Sequence, residues 1–92
     1  MARIHYVLAY DVGNNNDRLR LAKALLDLGD RIQKSVFEAD LDAADLQKLL
    51  ARARRLLADT DSLRVYPLCA RCRAGIVVVG AQAPPPEDLL IL

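Results

Sequence analysis

An α+β domain is predicted by three features of this chain. Alternating apolar segments read as strands, two amphipathic stretches of helical period lie between them, and turn residues sit where the period changes. In order they spell strand–helix–strand(s)–helix–strand–strand. If the middle strand segment divides, the plan becomes a ferredoxin-like βαββαβ sandwich with both helices on one sheet face and an additional C-terminal strand.

Residues 3 to 11 form the first strand. Ile4, Tyr6, Leu8 and Tyr10 point one way and His5, Val7, Ala9 and Asp11 the other, with apolar groups on both faces, as a central strand requires. Gly13 and Asn14 to Asn16 break it, and Asn16 or Asp17 is placed to cap a helix. That helix is expected to run to about Leu28 and stop at Gly29, read as a C-terminal residue with positive φ. Its core face is Leu21, Leu25 and Leu28, with Ala22 beside them. Arg18 falls on the inward side of the first turn, close in sequence to Asp11.

Residues 31 to 41 read as strand, either one bent strand or two short ones joined near Lys34-Ser35. A second helix starts at Asp42 and runs to about Ala58. Leu46, Leu49, Leu50, Ala53, Leu56 and Leu57 make its apolar stripe, and Lys48, Arg52 and Arg55 lie opposite. Residues 62 to 69 alternate again, and Ile76-Val77-Val78-Val79 reads as a further strand. Residues 1–80 therefore constitute the domain. Residues 81–92 are a proline-stiffened linker and an apolar tail, Leu89-Leu90-Ile91-Leu92, expected to pair as a strand at a subunit boundary.

Ninety-two residues allow one core. Hydrophobic residues make up 53% of the chain, which is high for a monomer of this size and points to apolar surface facing another subunit. With two helices on one sheet face, the other face is expected to expose Val- and Ile-rich surface that a homodimer would cover. The formal net charge of +1 does not announce a nucleic-acid binder, although 10 of the 13 basic residues are Arg, the side chain suited to forked phosphate contacts. No signal peptide or membrane span is visible, and two cysteines do not make a disulfide framework, so a cytoplasmic protein with no membrane partner is expected.

Two motifs carry the functional reading. Tyr10-Asp11-Val12 puts a carboxylate at a strand tip, a natural place for a hard cation. Arg31-Ile32-Gln33-Lys34-Ser35-Val36-Phe37-Glu38 follows one helix later and is too peculiar to arise from periodicity. Together with Arg18, Lys23, Gly29 and Leu63-Arg64-Val65-Tyr66-Pro67-Leu68, they resemble the small Cas-two family of CRISPR adaptation modules over roughly residues 3 to 79. The resemblance implies a ferredoxin-like homodimer with facing sheets. It also implies that Asp11 approaches its twin near the two-fold axis and is the catalytic and metal-binding residue for Mg²⁺ or Mn²⁺. The implied activity is an endonuclease, foremost an endoribonuclease with DNA also possible, and the implied partners are RNA or DNA and the Cas-one integrase, whose dimers the family bridges during spacer acquisition. A catalytically silent scaffold in that complex is the alternative.

One carboxylate per chain is a thin site for Mg²⁺, which takes six oxygen ligands and keeps several waters. Asp11 could instead merely cap the following turn. Arg18 and Arg31 are candidates to hold phosphates beside Asp11, or simply to pair with it. His5 shares the strand face of Asp11 but lies about 20 Å back along the strand, too far to serve as its base. Phe37 reads as core and Ser35 as a turn or sheet hydrogen-bonding residue. The Lys48-Arg52-Arg55 row is either a solvated face favoured by the helix dipole or a phosphate track. Cys69-x-x-Cys72 offers half a tetrahedral zinc site, or a redox pair if a helix N-terminus follows. Ordinary reduced thiols are the expectation.

Overall fold

The structure, a computed structural model, describes residues 2–80. The elements are β1 (Ile4–Asp11), α1 (Asn15–Leu26), β2 (Asp30–Gln33), β3 (Val36–Leu41), α2 (Ala43–Leu56), β4 (Ser62–Leu68) and a short α3 (Ala70–Ala74). The four strands form one sheet in the order β2-β3-β1-β4, every neighbouring pair antiparallel. The middle segment is thus two strands, turning at Lys34-Ser35. The tail expected at residues 81–92 lies outside the described residues.

Alternation settles which residues meet the helices. Tyr6, Leu8 and Tyr10 of β1 and Phe37, Ala39 and Leu41 of β3 are buried against Leu21, Ala22 and Leu25 of α1 and Leu49 and Ala53 of α2. Leu28, Leu46, Leu56, Leu57, Leu63 and Val65 pack around that centre. Phe37, Leu8, Leu21, Leu25 and Leu41 are fully buried, each worth about 1.5–3 kcal/mol of transfer energy. Lys48, Arg52 and Arg55 are exposed on the far side of α2.

Four expectations are corrected. First, α1 begins earlier, because the Asn14 side chain, not that of Asn16 or Asp17, accepts the Asp17 N–H at 3.0 Å. The helix ends at Leu26, although the N–H groups of Leu28 and Gly29 both still reach the Leu25 carbonyl. Second, Gly29 does not adopt positive φ. Close packing requires it: a Cβ there would stand 2.1 Å from the Glu38 carbonyl oxygen and 2.6 Å from the Ala39 Cβ.

Third, Ile76–Val79 is not a strand. The chain leaves β4 through α3, and the four residues are exposed, because the described residues offer the run no ladder partner. Fourth, the open sheet face is not Val- and Ile-rich. The register places Val7, Ala9, Val36, Tyr66 and Leu68 there beside His5, Glu38, Asp40 and Arg64, so the face is mixed. Among the described residues, no helix is long and apolar enough to cross a membrane.

Candidate functional site

Asp11 is the last residue of β1, exposed, and opposite Ser62 of β4 in the register. Alternation sets it on the open face with His5, Val7 and Ala9. Its carboxylate takes part in none of the ion pairs among the described residues. The loop after it is held from both sides. Arg18 Nη1 donates to the Val12 carbonyl at 2.8 Å, and its Nη2 donates to the Asn15 side chain. The Gly13 N–H donates to Asp61 Oδ1 at 3.0 Å, while Asp61 Oδ2 accepts from the Ala58 N–H at 2.9 Å. Asp61 thereby ties the end of α2 to the β1–α1 loop. Those main-chain donors, Ala58 first and then Gly13, hold its carboxyl below the ordinary 3.8. Sequence reading missed Asp61; an acidic residue in the turn just before a strand was the available signal.

Arg31 is placed differently. It stands opposite Phe37 in the register, its guanidinium 5.5 Å from the Phe37 ring centroid, on the helix-covered side of the sheet. Its Nη2 donates to the Lys34 carbonyl at 2.6 Å, and the Tyr10 hydroxyl donates to the same oxygen at 2.8 Å. The Tyr10 N–H donates to the Ser35 carbonyl. Arg31 therefore fixes the β2–β3 turn to the end of β1, while Asp11 faces the other way. Within the chain the structure does not pair either arginine with Asp11. Arg18 reaches back from the first turn of α1 to the loop beyond it, and Arg31 lies on the opposite sheet face.

A second polar cluster occupies the other end of the open face. His5 sits between two carboxylates, Nδ1 at 2.8 Å from Asp40 Oδ1 and Nε2 at 2.7 Å from Glu38 Oε1. Arg73 of α3 reaches Asp40 Oδ2 at 3.1 Å, and Arg3 donates to the Asp40 carbonyl at 3.0 Å. The hydrogen bond from His5 is the main cause holding the Asp40 carboxyl low, with the Arg73 charge adding to it against some desolvation. The i, i+2 spacing of Glu38 and Asp40 on one strand face was the sequence signal for this cluster.

Chemically, the β1 tip offers one exposed carboxylate outside the ion pairs of the described residues, held on a strand end and followed by a doubly anchored loop. It fits a hard divalent cation as a single ligand. Among the described residues, no group of three His, Cys, Asp or Glu side chains could hold a metal ion.

Among the described residues these features define a class: a small α+β protein with one helix-covered and one open sheet face and an exposed carboxylate at the tip of its central strand. A family profile described as CRISPR associated protein Cas2 matches residues 4–76. The CRISPR-associated endoribonuclease Cas2 1 of Chloroflexus aurantiacus is 42% identical over 84 residues, covering 89% of this chain and 89% of that protein. The CRISPR-associated endonuclease Cas2 2 of Thermus thermophilus is 43% identical over 88 residues, covering 95% and 92%. The crystal structure of Streptococcus pyogenes Cas2 at pH 6.5 superposes with a TM-score of 0.73 at 27% identity, covering 83% of this chain and 99% of that one. The chain belongs to the Cas2 family.

Proposed function

We propose that this protein is a divalent-metal-dependent endonuclease that acts on RNA or DNA in CRISPR spacer acquisition, working in the cytoplasm as a ferredoxin-like homodimer. The observation that carries the reading is Asp11: an exposed strand-tip carboxylate that stands outside the ion pairs among the described residues. The names of the relatives, one an endoribonuclease and one an endonuclease, support the reaction and leave the choice of nucleic acid to experiment.

Two copies facing through the open sheet would supply two Asp11 carboxylates, whose mutual repulsion a cation relieves. Tyr66, Val7, Val36 and Leu68 on that face, and the exposed Ile76–Val79 run, are apolar surface for such a partner. A bound Mg²⁺ or Mn²⁺ supplies Lewis-acid polarisation of the scissile phosphate and acidifies its bound water. The chain's own contribution is positional. Arg18 and Asp61 pin the main chain on the far side of Asp11, and Arg31 and Tyr10 pin the turn beside it, so the carboxylate is presented on a fixed backbone.

The test is cleavage of RNA and DNA by the purified chain, wild type beside Asp11→Asn, with Mg²⁺, Mn²⁺ or EDTA. Cleavage is expected with metal in the wild type and lost in the other arms. Equal cleavage by a clean Asp11→Asn preparation overturns the reading.

One observation favours a second reading, that of a silent scaffold bridging integrase dimers: the exposed Lys48-Arg52-Arg55 row on α2 suits a phosphate backbone. On that reading Asp11→Asn still assembles with the Cas-one integrase and supports spacer insertion, whereas Lys48, Arg52 and Arg55 together replaced by Ala weaken nucleic-acid binding most at low salt.

A further inference from the structure

Cys69 and Cys72 lie outside everything assigned above. Both are free and exposed. The structure supplies the context that the spacing alone lacked: the chain turns at Cys69 into α3, so the two thiols stand three residues apart on one helical turn. Cys69 Sγ accepts the Cys72 N–H at 3.4 Å. Residues i and i+3 of a helical turn have Cα atoms about 5 Å apart, within the span a disulfide bridges without backbone movement.

We propose that Cys69 and Cys72 form a redox-active dithiol that closes to an internal disulfide by exchange with an anionic small-molecule disulfide of the oxidised-glutathione type. The two thiols have unequal roles. The N–H and thiol of Cys72 hold the Cys69 thiol below its ordinary value, and the same contact pushes Cys72 up, so Cys69 is the attacking thiolate and Cys72 the resolving thiol. Access and charge suit the reagent. Cys69 lines an open groove of about 700 Å³ together with Arg3, Leu68 and Arg73, and Arg71 stands exposed between the two cysteines.

The exchange balances without any further reagent. Cys69 S⁻ attacks one sulfur of the disulfide, forming a mixed disulfide and expelling one thiolate with the electron pair of the broken S–S bond. Cys72 then gives its proton to water and attacks Cys69 Sγ, forming the Cys69–Cys72 bond and expelling the second thiolate. Two protein thiols are oxidised by two electrons, and one disulfide is reduced to two thiols.

The experiment uses the full, reduced chain at pH 7. Pulsed alkylation with site-resolved mass spectrometry is expected to label Cys69 faster than Cys72. After oxidised glutathione is added, both alkylation sites should disappear together, with loss of two hydrogens and release of two glutathione thiols per chain. Cys72→Ser should stop at a glutathione adduct on Cys69. Labelling of Cys72 as fast as Cys69, or oxidation that ends in stable glutathione adducts or inter-chain disulfides in the wild type, overturns the proposal.

Discussion

The two ends of the central strand share one open sheet face and are built in opposite ways. At the His5 end, an imidazole is clamped between Glu38 and Asp40, Asp40 is also paired with Arg73, and Gly29 is packed against the backbone of β3. At the Asp11 end the carboxylate has no ion-pair partner among the described residues, and a Cβ on Gly13 would meet only Asp61 Oδ1 at 3.9 Å. A charge held by partners has committed its interaction energy to the fold. A charge left in water at a strand tip contributes little to stability and remains available to a cation or a second copy. Within this face, tight ionic geometry marks structure and its absence marks the candidate site.

Four substitution experiments bear on that contrast. The largest effect is expected from Asp11→Asn. On the proposed metal role, loss of ~3 kcal/mol of Lewis-acid stabilisation would slow cleavage more than 100-fold. The urea unfolding midpoint should not move, because no ion pair among the described residues is lost. A stability loss comparable to that of a His5 variant would break the contrast.

His5→Ala should do the reverse. It leaves two carboxylates facing each other across a vacated site, at a cost of about 1–3 kcal/mol in urea unfolding, while cleavage per folded molecule persists. Unchanged stability would show that the clamp contributes nothing to the fold.

The glycines sharpen the same comparison. Gly29→Ala forces a Cβ into the Glu38 carbonyl and should cost about 1–3 kcal/mol, whereas Gly13→Ala should stay within about 0.5 kcal/mol of wild type. Equal costs would mean that the Asp11 end is as crowded as the other.

The smallest effect concerns acid. Asp40 and Asp61 are both held below the ordinary 3.8, so their stabilisation is complete above that value and is lost as pH falls through the folded values. The unfolding midpoint should therefore decline below about pH 3.8. The double variant Asp40→Asn/Asp61→Asn should be less stable at pH 7 and decline less steeply in acid. Parallel curves would place the acid sensitivity elsewhere.

Much of the fold was legible because burial imposes period. The strands at 3–11 and 62–69 and the apolar stripe of α2 were visible since alternate or every third-to-fourth side chain must meet the core. Ile76–Val79 misled for the converse reason: four apolar residues look like a strand, but strand formation needs a ladder partner that sequence does not display. Gly29 was noticed for its type and misread in its cause, because close packing of α1's exit on β3 leaves the same residue as a left-handed turn. At the site, Asp11 was legible as a carboxylate ending an apolar strand. The separation of Arg31 from it was not, since that depends on which face of β2 pairs against Phe37.

The sequence by itself determined the α+β class, the helix-facing residues, the family and the strand-tip position of Asp11, because each depends on local period or on residue identity in a contiguous motif. Only the tertiary structure decided that Arg31 stacks on Phe37 instead of joining Asp11, that His5 is clamped by Glu38 and Asp40, that Asp61 anchors Gly13, and that Cys69 and Cys72 share one helical turn. The reason is strand register. A shift of one residue exchanges the faces of a strand, and register is set by the packing of the whole sheet against two helices.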